Sequence, residues 1–394
     1  MKDSQKRLIL YIATIAYIGM TIISITSISY IYKSVSLSLK FLRYVCYLVF
    51  GLSFLSNLKK ITKIEVILLI ISLLIMIIAK NKSIFILVVF LISIKELDKK
   101  IILEKLLYTY TITFLFIIIC SLLKIFPDWI YYRQETIRHS LGFIYPTDCY
   151  SIFLIISLLL LYNKREKISI IDIIIVFIVN NILMYLTDGR MSYILINLTL
   201  FISIIFKTNI IYYLKKSNIE KITNIIAYSL PILMFITTNL LVILYIKNLP
   251  IATQVNHILS DRVNLTAQAY KNYDITPFGQ KIEWYGNGGK GYIKQDKNFH
   301  YNYVDNSYAR MLLDYGVIFT LIVLYSYIYL LQKLRMRKDY IGFSVICIVL
   351  IWAFIEPCLV NIGRNVFMLL LLDNEGKNRI EVSNEKNSKK KLHI

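Results

Sequence analysis

The chain has 394 residues, 57% of them hydrophobic and 18% charged, with a formal net charge of +21 and a mean hydropathy of +0.61. A soluble chain of this length would form two or three compact domains, and the apolar surface here exceeds what such cores bury, so a soluble fold is excluded. The basic excess does not point to nucleic acid: Lys and Arg gather in short turns between apolar runs and in the last residues, where attraction to anionic lipid headgroups accounts for them.

Apolar runs of about 15 to 25 residues predict an all-α polytopic membrane protein with about 12 transmembrane helices and one large extracellular loop. The spans are expected near 8–30, 36–56, 64–79, 83–95, 101–126, 146–162, 168–187, 190–206, 222–246, 310–331, 340–356 and 359–372. The opening MKDSQKR before an apolar run resembles a signal peptide, but no small-residue cleavage site follows, so an uncleaved first span is expected. With a cytoplasmic amino terminus, Lys59, Lys60 and Lys63, then Lys95, Lys99 and Lys100, then Lys164, Arg165 and Lys167 all fall inside. So do Lys207, Lys215, Lys216 and Lys221, the run from Lys333 to Lys338, and the tail with its KKK. The orientation expected is therefore a multi-pass protein of the cytoplasmic membrane with both termini inside.

Two longer loops then lie outside, Pro127 to Tyr145 and Lys247 to Arg310. The organisation is nine spans with short loops over 1–246, the large extracellular loop over 247–310, three spans over 311–372, and a disordered basic cytoplasmic tail over 373–394. A polar insert of about sixty residues is far above the usual connection length, and chemistry is expected there.

The five cysteines are widely spaced and mostly in spans, and form neither a disulfide framework nor a metal motif. No nucleotide loop, nucleophile elbow or metal-ligand spacing is present; GNGGKG at 286–291 lacks the strand-to-helix setting of a phosphate loop and reads as a flexible turn. No metal or cofactor is expected.

The candidates are charges at the outer ends of helices, where an ion near the bilayer costs about 2.5 to 3.5 kcal/mol at the helix centre and less at the interface. Arg138 lies in RQETIRHSLGF. Arg190 lies in the Asp-Gly turn of YLTDGRMSYIL, either paired with Asp188 or contacting an anion. Arg262 follows in LSDRVNL, and Arg310 in VDNSYARMLLDYG. Asn306 and Arg310 are four apart and share a helix face, while either Asp305 or Asn306 suits an N-cap. Guanidiniums converging on one cavity would suit a diphosphate, because the planar fork pairs bidentately with phosphate oxygens. For a general base the choices are His300, Glu283 beside Trp284, and Asp305. His139, His257 and His393 read as loop, interface and tail residues; Arg43, Glu356 and Arg364 read as intramembrane pairing partners.

The order of LTDGRMSYIL on a short outer turn, SDRVNLTAQAYKNYDITPFGQKIEW opening the large loop and YNYVDNSYARMLLDYGVIF closing it resembles the Wzy-type polysaccharide repeat-unit polymerases of capsule and exopolysaccharide pathways, their Gram-positive branch in particular. The resemblance covers roughly the second half of the chain. An Arg followed eleven residues later by Gly, a loop pattern of O-antigen polymerases, does not occur at Arg138 or Arg262. The resemblance implies a membrane glycosyltransferase acting on undecaprenyl-pyrophosphate-linked oligosaccharides at the outer face, working among other polysaccharide-assembly membrane proteins. It assigns Arg190 and Arg310, then Arg262 and Arg138, with Asp188 and Asn306 beside them, to the substrate. His300, Glu283 or Asp305 takes the acceptor proton. Two alternatives stay open: an O-antigen-ligase-like transferase and a lipid-linked oligosaccharide flippase.

Overall fold

The computed structural model describes residues 3–133, 135–208, 216–286 and 301–372; His300, most of the GNGGKG turn and the 373–394 tail lie outside them. Eight helices are long and apolar enough to cross a membrane: Ser4–Ile23, Lys33–Lys60, Lys99–Leu122, Pro146–Lys167, Ile170–Thr187, Arg190–Lys207, Asn218–Ile246 and Ser307–Met336. Three shorter apolar helices, Lys63–Ile78, Ser83–Ser93 and Tyr340–Trp352, pack among them.

Local chemistry sets where these helices begin. Thr62 and Glu65 form a reciprocal capping box before one helix, and Ser169 and Asp172 form another. Asp98 accepts from the backbone N–H groups of Lys100 and Ile101, and Pro146 takes the first turn of its helix, where no N–H is required.

Alternate helices run in opposite directions, so the turn carrying Lys80 and Lys82 lies at one end, while the basic turns near 58–63, 95–99, 164–169 and 333–339 collect at the other. Ion pairs stitch them there: Lys60–Glu96 at 2.5 Å, Lys95–Glu65 at 2.9 Å, Lys164–Asp172 at 2.6 Å and Arg165–Asp339 at 3.0 Å. The two longer loops lie at the opposite end. The Pro146 helix is central, with 83% of its apolar window buried against 17–56% for the other long helices. Whatever its first turn carries is thus placed in the middle of that end.

Of the twelve expected spans, those at 64–79, 83–95 and 340–356 are the three shorter helices, and two others differ in how they end or fold. The run expected at 8–30 stops at Ile23, because the Ser/Thr-rich stretch after it turns to the first loop. Thr26 bridges Phe143, and Ser27 donates from its backbone N–H to the Gly142 carbonyl at 2.9 Å and from its hydroxyl to the Pro127 carbonyl at 2.9 Å. The run expected at 359–372 holds only a 3-10 helix, Val366–Leu372, preceded by non-helical chain from about residue 353. Polar groups hold that chain open: Ser307 Oγ accepts from the N–H of Cys358 at 2.8 Å and of Leu359 at 3.3 Å while donating to the Glu356 carbonyl, and the Tyr110 hydroxyl donates to the Gly363 carbonyl at 2.7 Å.

The first loop forms an antiparallel hairpin, Ile130–Arg133 with Thr136–His139. The second contains two helices, Pro250–Ile258 and Arg262–Asn272, and then an extended stretch locked to the next span. Gln280 donates its N–H to the Leu313 carbonyl, and Val317 and Ile318 donate theirs to Thr276 and Pro277. Gly316 breaks its helix at φ +83° to receive this stretch, and Gly279 sits opposite at φ +79°. A Cβ on Gly316 would lie 2.4 Å from the Gly279 nitrogen, so two backbones touch where no side chain fits.

Candidate polar cavity at the meeting of the two loops

Period-2 alternation in the hairpin places Tyr131, Arg133, Thr136 and Arg138 on one face, with Tyr131 opposite Arg138 and Arg133 opposite Thr136. That face lies against the C-terminal end of the Ile170–Thr187 helix, whose unpaired carbonyls carry partial negative charge. Arg138 Nε donates to the Thr187 carbonyl at 2.8 Å, and Arg133 Nη1 reaches an Asp188 carboxylate oxygen at 3.0 Å. Burial lowers the Arg133 pKa, and the neighbouring Arg138 charge adds to that while Asp188 opposes it.

Arg138 is 2% exposed, its guanidinium lies 5.4 Å from the centre of the Tyr145 ring, and its Nη2 has no hydrogen-bond partner among the described residues. A buried charged donor is costly to leave unpaired, so Nη2 is a candidate contact for a polar ligand.

Arg133 and Arg138 line a cavity of about 550 Å³ together with Arg262, Arg364 and the carboxylates Asp148, Asp261, Asp305 and Glu356. Arg262, opening its helix, pairs with Asp305 at 3.2 Å. Arg364, in the open segment, holds Asp148 at 2.5 Å and also pairs with Glu356. The cavity thus draws on both long loops, the first turn of the central helix and the segment near the chain's end. Tyr145, Tyr301 and Tyr303 give it aromatic walls. Burial, then the nearby Asp305 charge, raises the Tyr301 phenol.

The candidates named from the sequence fall into separate groups. Arg138, Arg262 and Asp305 line the cavity. Arg190 does not: its side chain is 56% exposed and Nε bonds Asp188 at 3.0 Å. Asp188 is buried and bridges Arg190 to Arg133, so of the two readings for Arg190 the pairing is the one formed. Arg310 lines an adjoining cavity of about 630 Å³. There it is stacked 4.6 Å from Trp284 and 4.7 Å from Tyr303 and bonded to Asp314 at 3.0 Å, with Trp284 Nε1 donating to the same carboxylate at 2.8 Å. The two cavities share Tyr303 and Arg364.

Asn306 does not share an outward edge with Arg310. It is the N-cap, accepting from the N–H groups of Tyr308 and Ala309 and donating inward to Thr238 and Phe354, because four unpaired N–H groups at a helix start outcompete solvent for that amide. Glu283 is exposed in a groove next to the cavity, and the Tyr285 hydroxyl, then Lys281, hold its carboxyl below the usual range. His139 bonds Asp128 at 2.6 Å and His257 is exposed on its helix.

Arg133 and Asp148 were not among the candidates. Arg133 becomes visible only through hairpin alternation, and Asp148 through its place in the first turn of a helix, two residues after Pro146. Arg364 and Glu356 do pair, with Asp148 as their third member. No group of three or more metal-ligating side chains occurs among the described residues. Comparisons with protein-family models, with curated proteins and with solved structures give no match to this chain.

Proposed function

We propose that this protein joins lipid-pyrophosphate-linked oligosaccharide repeat units into a longer glycan, with the polar cavity as its active site on the outer face of the cytoplasmic membrane. The observation that carries the reading is Arg138, buried with its Nη2 unpaired among the described residues, in a cavity where Arg133, Arg262 and Arg364 are also gathered. Guanidinium forks suit the pyrophosphate oxygens, and tyrosine rings beside carboxylates suit a sugar.

In this reading a hydroxyl of the acceptor unit attacks the anomeric carbon of the donor. The bond from that carbon to the pyrophosphate oxygen breaks, and the leaving group departs with the electron pair, its growing charge met by Arg138 and its neighbours. The hydroxyl proton passes to Asp305, which among the candidate bases in the described residues is the one lining the cavity. Arg262, paired with Asp305 at 3.2 Å, holds that carboxylate in place at the cavity wall.

Lipid-linked glycans extracted from cells carrying the intact chain or Arg138→Ala, at matched protein levels, test this. Single repeat units should accumulate and long chains fall by about a hundredfold or more, the usual cost of a lost electrostatic contact. Arg138→Lys should recover little, since the ammonium keeps the charge and loses the fork. An unchanged length distribution removes the polymerase reading. Long lipid-linked chains accumulating instead would favour the ligase-like transferase.

A further inference from the structure

A second basic site lies away from the polar cavity. Ser24 and Ser29, after the first helix, and Ser36, Lys40 and Arg43, on the Lys33–Asn57 helix, line a cavity of about 330 Å³ that Lys82 closes from the turn before Ser83–Ser93. Ser36, Lys40 and Arg43 are spaced four and three apart, so they share one helix face. No carboxylate lines this cavity, and none of its three cations has an ion pair among the described residues. Arg43 donates one long bond of 3.4 Å to the Met20 carbonyl, and its Nε is buried without a partner among the described residues. A guanidinium about 15 Å along an apolar helix from its start, at 1.5 Å per residue, is costly to keep charged without a counter-ion.

The surroundings say what kind of counter-ion fits. The same helix presents Leu37, Phe41, Leu48 and Leu52 outward, 53–69% exposed, so the cavity adjoins a lipid-facing apolar surface. It also shares Tyr47 and Lys82 with the cavity that holds Arg310, which in turn meets the polar cavity at Tyr303 and Arg364. We infer that Lys40, Arg43 and Lys82 form a binding site for a lipid-anchored phosphate group, entered sideways from the bilayer. Both a phospholipid headgroup and a polyprenyl phosphate carry that chemistry. The inference rests on charge and placement and stands whether or not the chain polymerises glycans.

The test is binding by native mass spectrometry to the full chain in detergent, with phosphatidylglycerol, farnesyl diphosphate and inorganic pyrophosphate as separate probes. Lys40→Gln with Lys82→Gln changes two exposed side chains and should leave the melting temperature unchanged, whereas Arg43→Gln is a deeper second variant. At least one of the two lipid probes should lose about tenfold in affinity in the double variant, and in the same double variant built on Arg138→Ala, which separates this site from the polar cavity. Displacement of one lipid by the other then identifies the source. Equal lipid binding by the intact chain and the variants overturns the inference, and so does inorganic pyrophosphate binding as tightly as both lipids.

Discussion

At the residue scale, the arginines divide by what already satisfies them. Arg310 is stacked on two rings and paired with Asp314, and Arg190 is paired and largely exposed, while Arg138 keeps a donor unspent in a buried place. Removing Arg190 should therefore cost far less polymer than removing Arg133, although both meet Asp188. Side-by-side chain-length profiles of Arg190→Ala and Arg133→Ala decide it, and equal losses would mean that Arg190 reaches the substrate after all. Glu283 offers a titration check. Its carboxylate accepts from Tyr285, which favours the charged form, so Tyr285→Phe should raise its midpoint toward the usual range in an NMR titration. By linkage, what that contact adds to stability is present above the unfolded-state midpoint and is lost as pH falls through the folded one; at a fully exposed site the effect is small.

At the scale of elements, the sequence features that carried the family resemblance have clear structural duties. The Gly of ITPFGQ and the Gly of LLDYGV meet backbone to backbone, the Ser of DNSYAR clamps the segment bearing Glu356, and its Asn caps the helix. Gly316→Ala puts a side chain at φ +83° and ψ 176°, a region that only glycine adopts readily, which costs about 1 to 3 kcal/mol by itself, and adds a backbone clash. A drop of several degrees in melting temperature, or loss of the folded chain from the membrane, is expected. Ser307→Ala leaves the Leu359 N–H without its partner, while the Cys358 N–H keeps the Glu356 carbonyl, and should destabilise by about 1 to 3 kcal/mol, read by the same thermal melt.

Hydropathy made the helices and both loops legible, since an apolar run of sufficient length has one favourable arrangement in lipid. The breaks at Ile23 and before Val366 were not legible, because hydropathy does not register the polar side chains that bend apolar chain. Of the cavity, Arg138, Arg262 and Asp305 could be named from loop position. Their convergence with Asp148 and Arg364 depends on contacts 100 or more residues apart in sequence, such as the 216-residue separation of Arg364 from Asp148.

At the scale of the whole molecule, the orientation expected from the positive-inside rule, with the polar cavity outside, is open to a labelling test. Cysteine placed at Glu135, at the hairpin tip, should react with an impermeant maleimide on intact cells, and cysteine at Lys60 only after permeabilisation. Both positions are exposed. The reverse pattern would put the cavity in the cytoplasm and remove the proposed substrate from its reach.

The chain of cavities that share Tyr47 and Lys82, then Tyr303 and Arg364, has an energetic consequence for any ligand with a long tail. Drawing hydrocarbon out of a bilayer costs about 0.8 kcal/mol for each methylene, so pulling even ten carbons into water would demand about 8 kcal/mol. A ligand that entered sideways along these cavities would keep its tail immersed, so its loading would be limited by steering rather than by extraction.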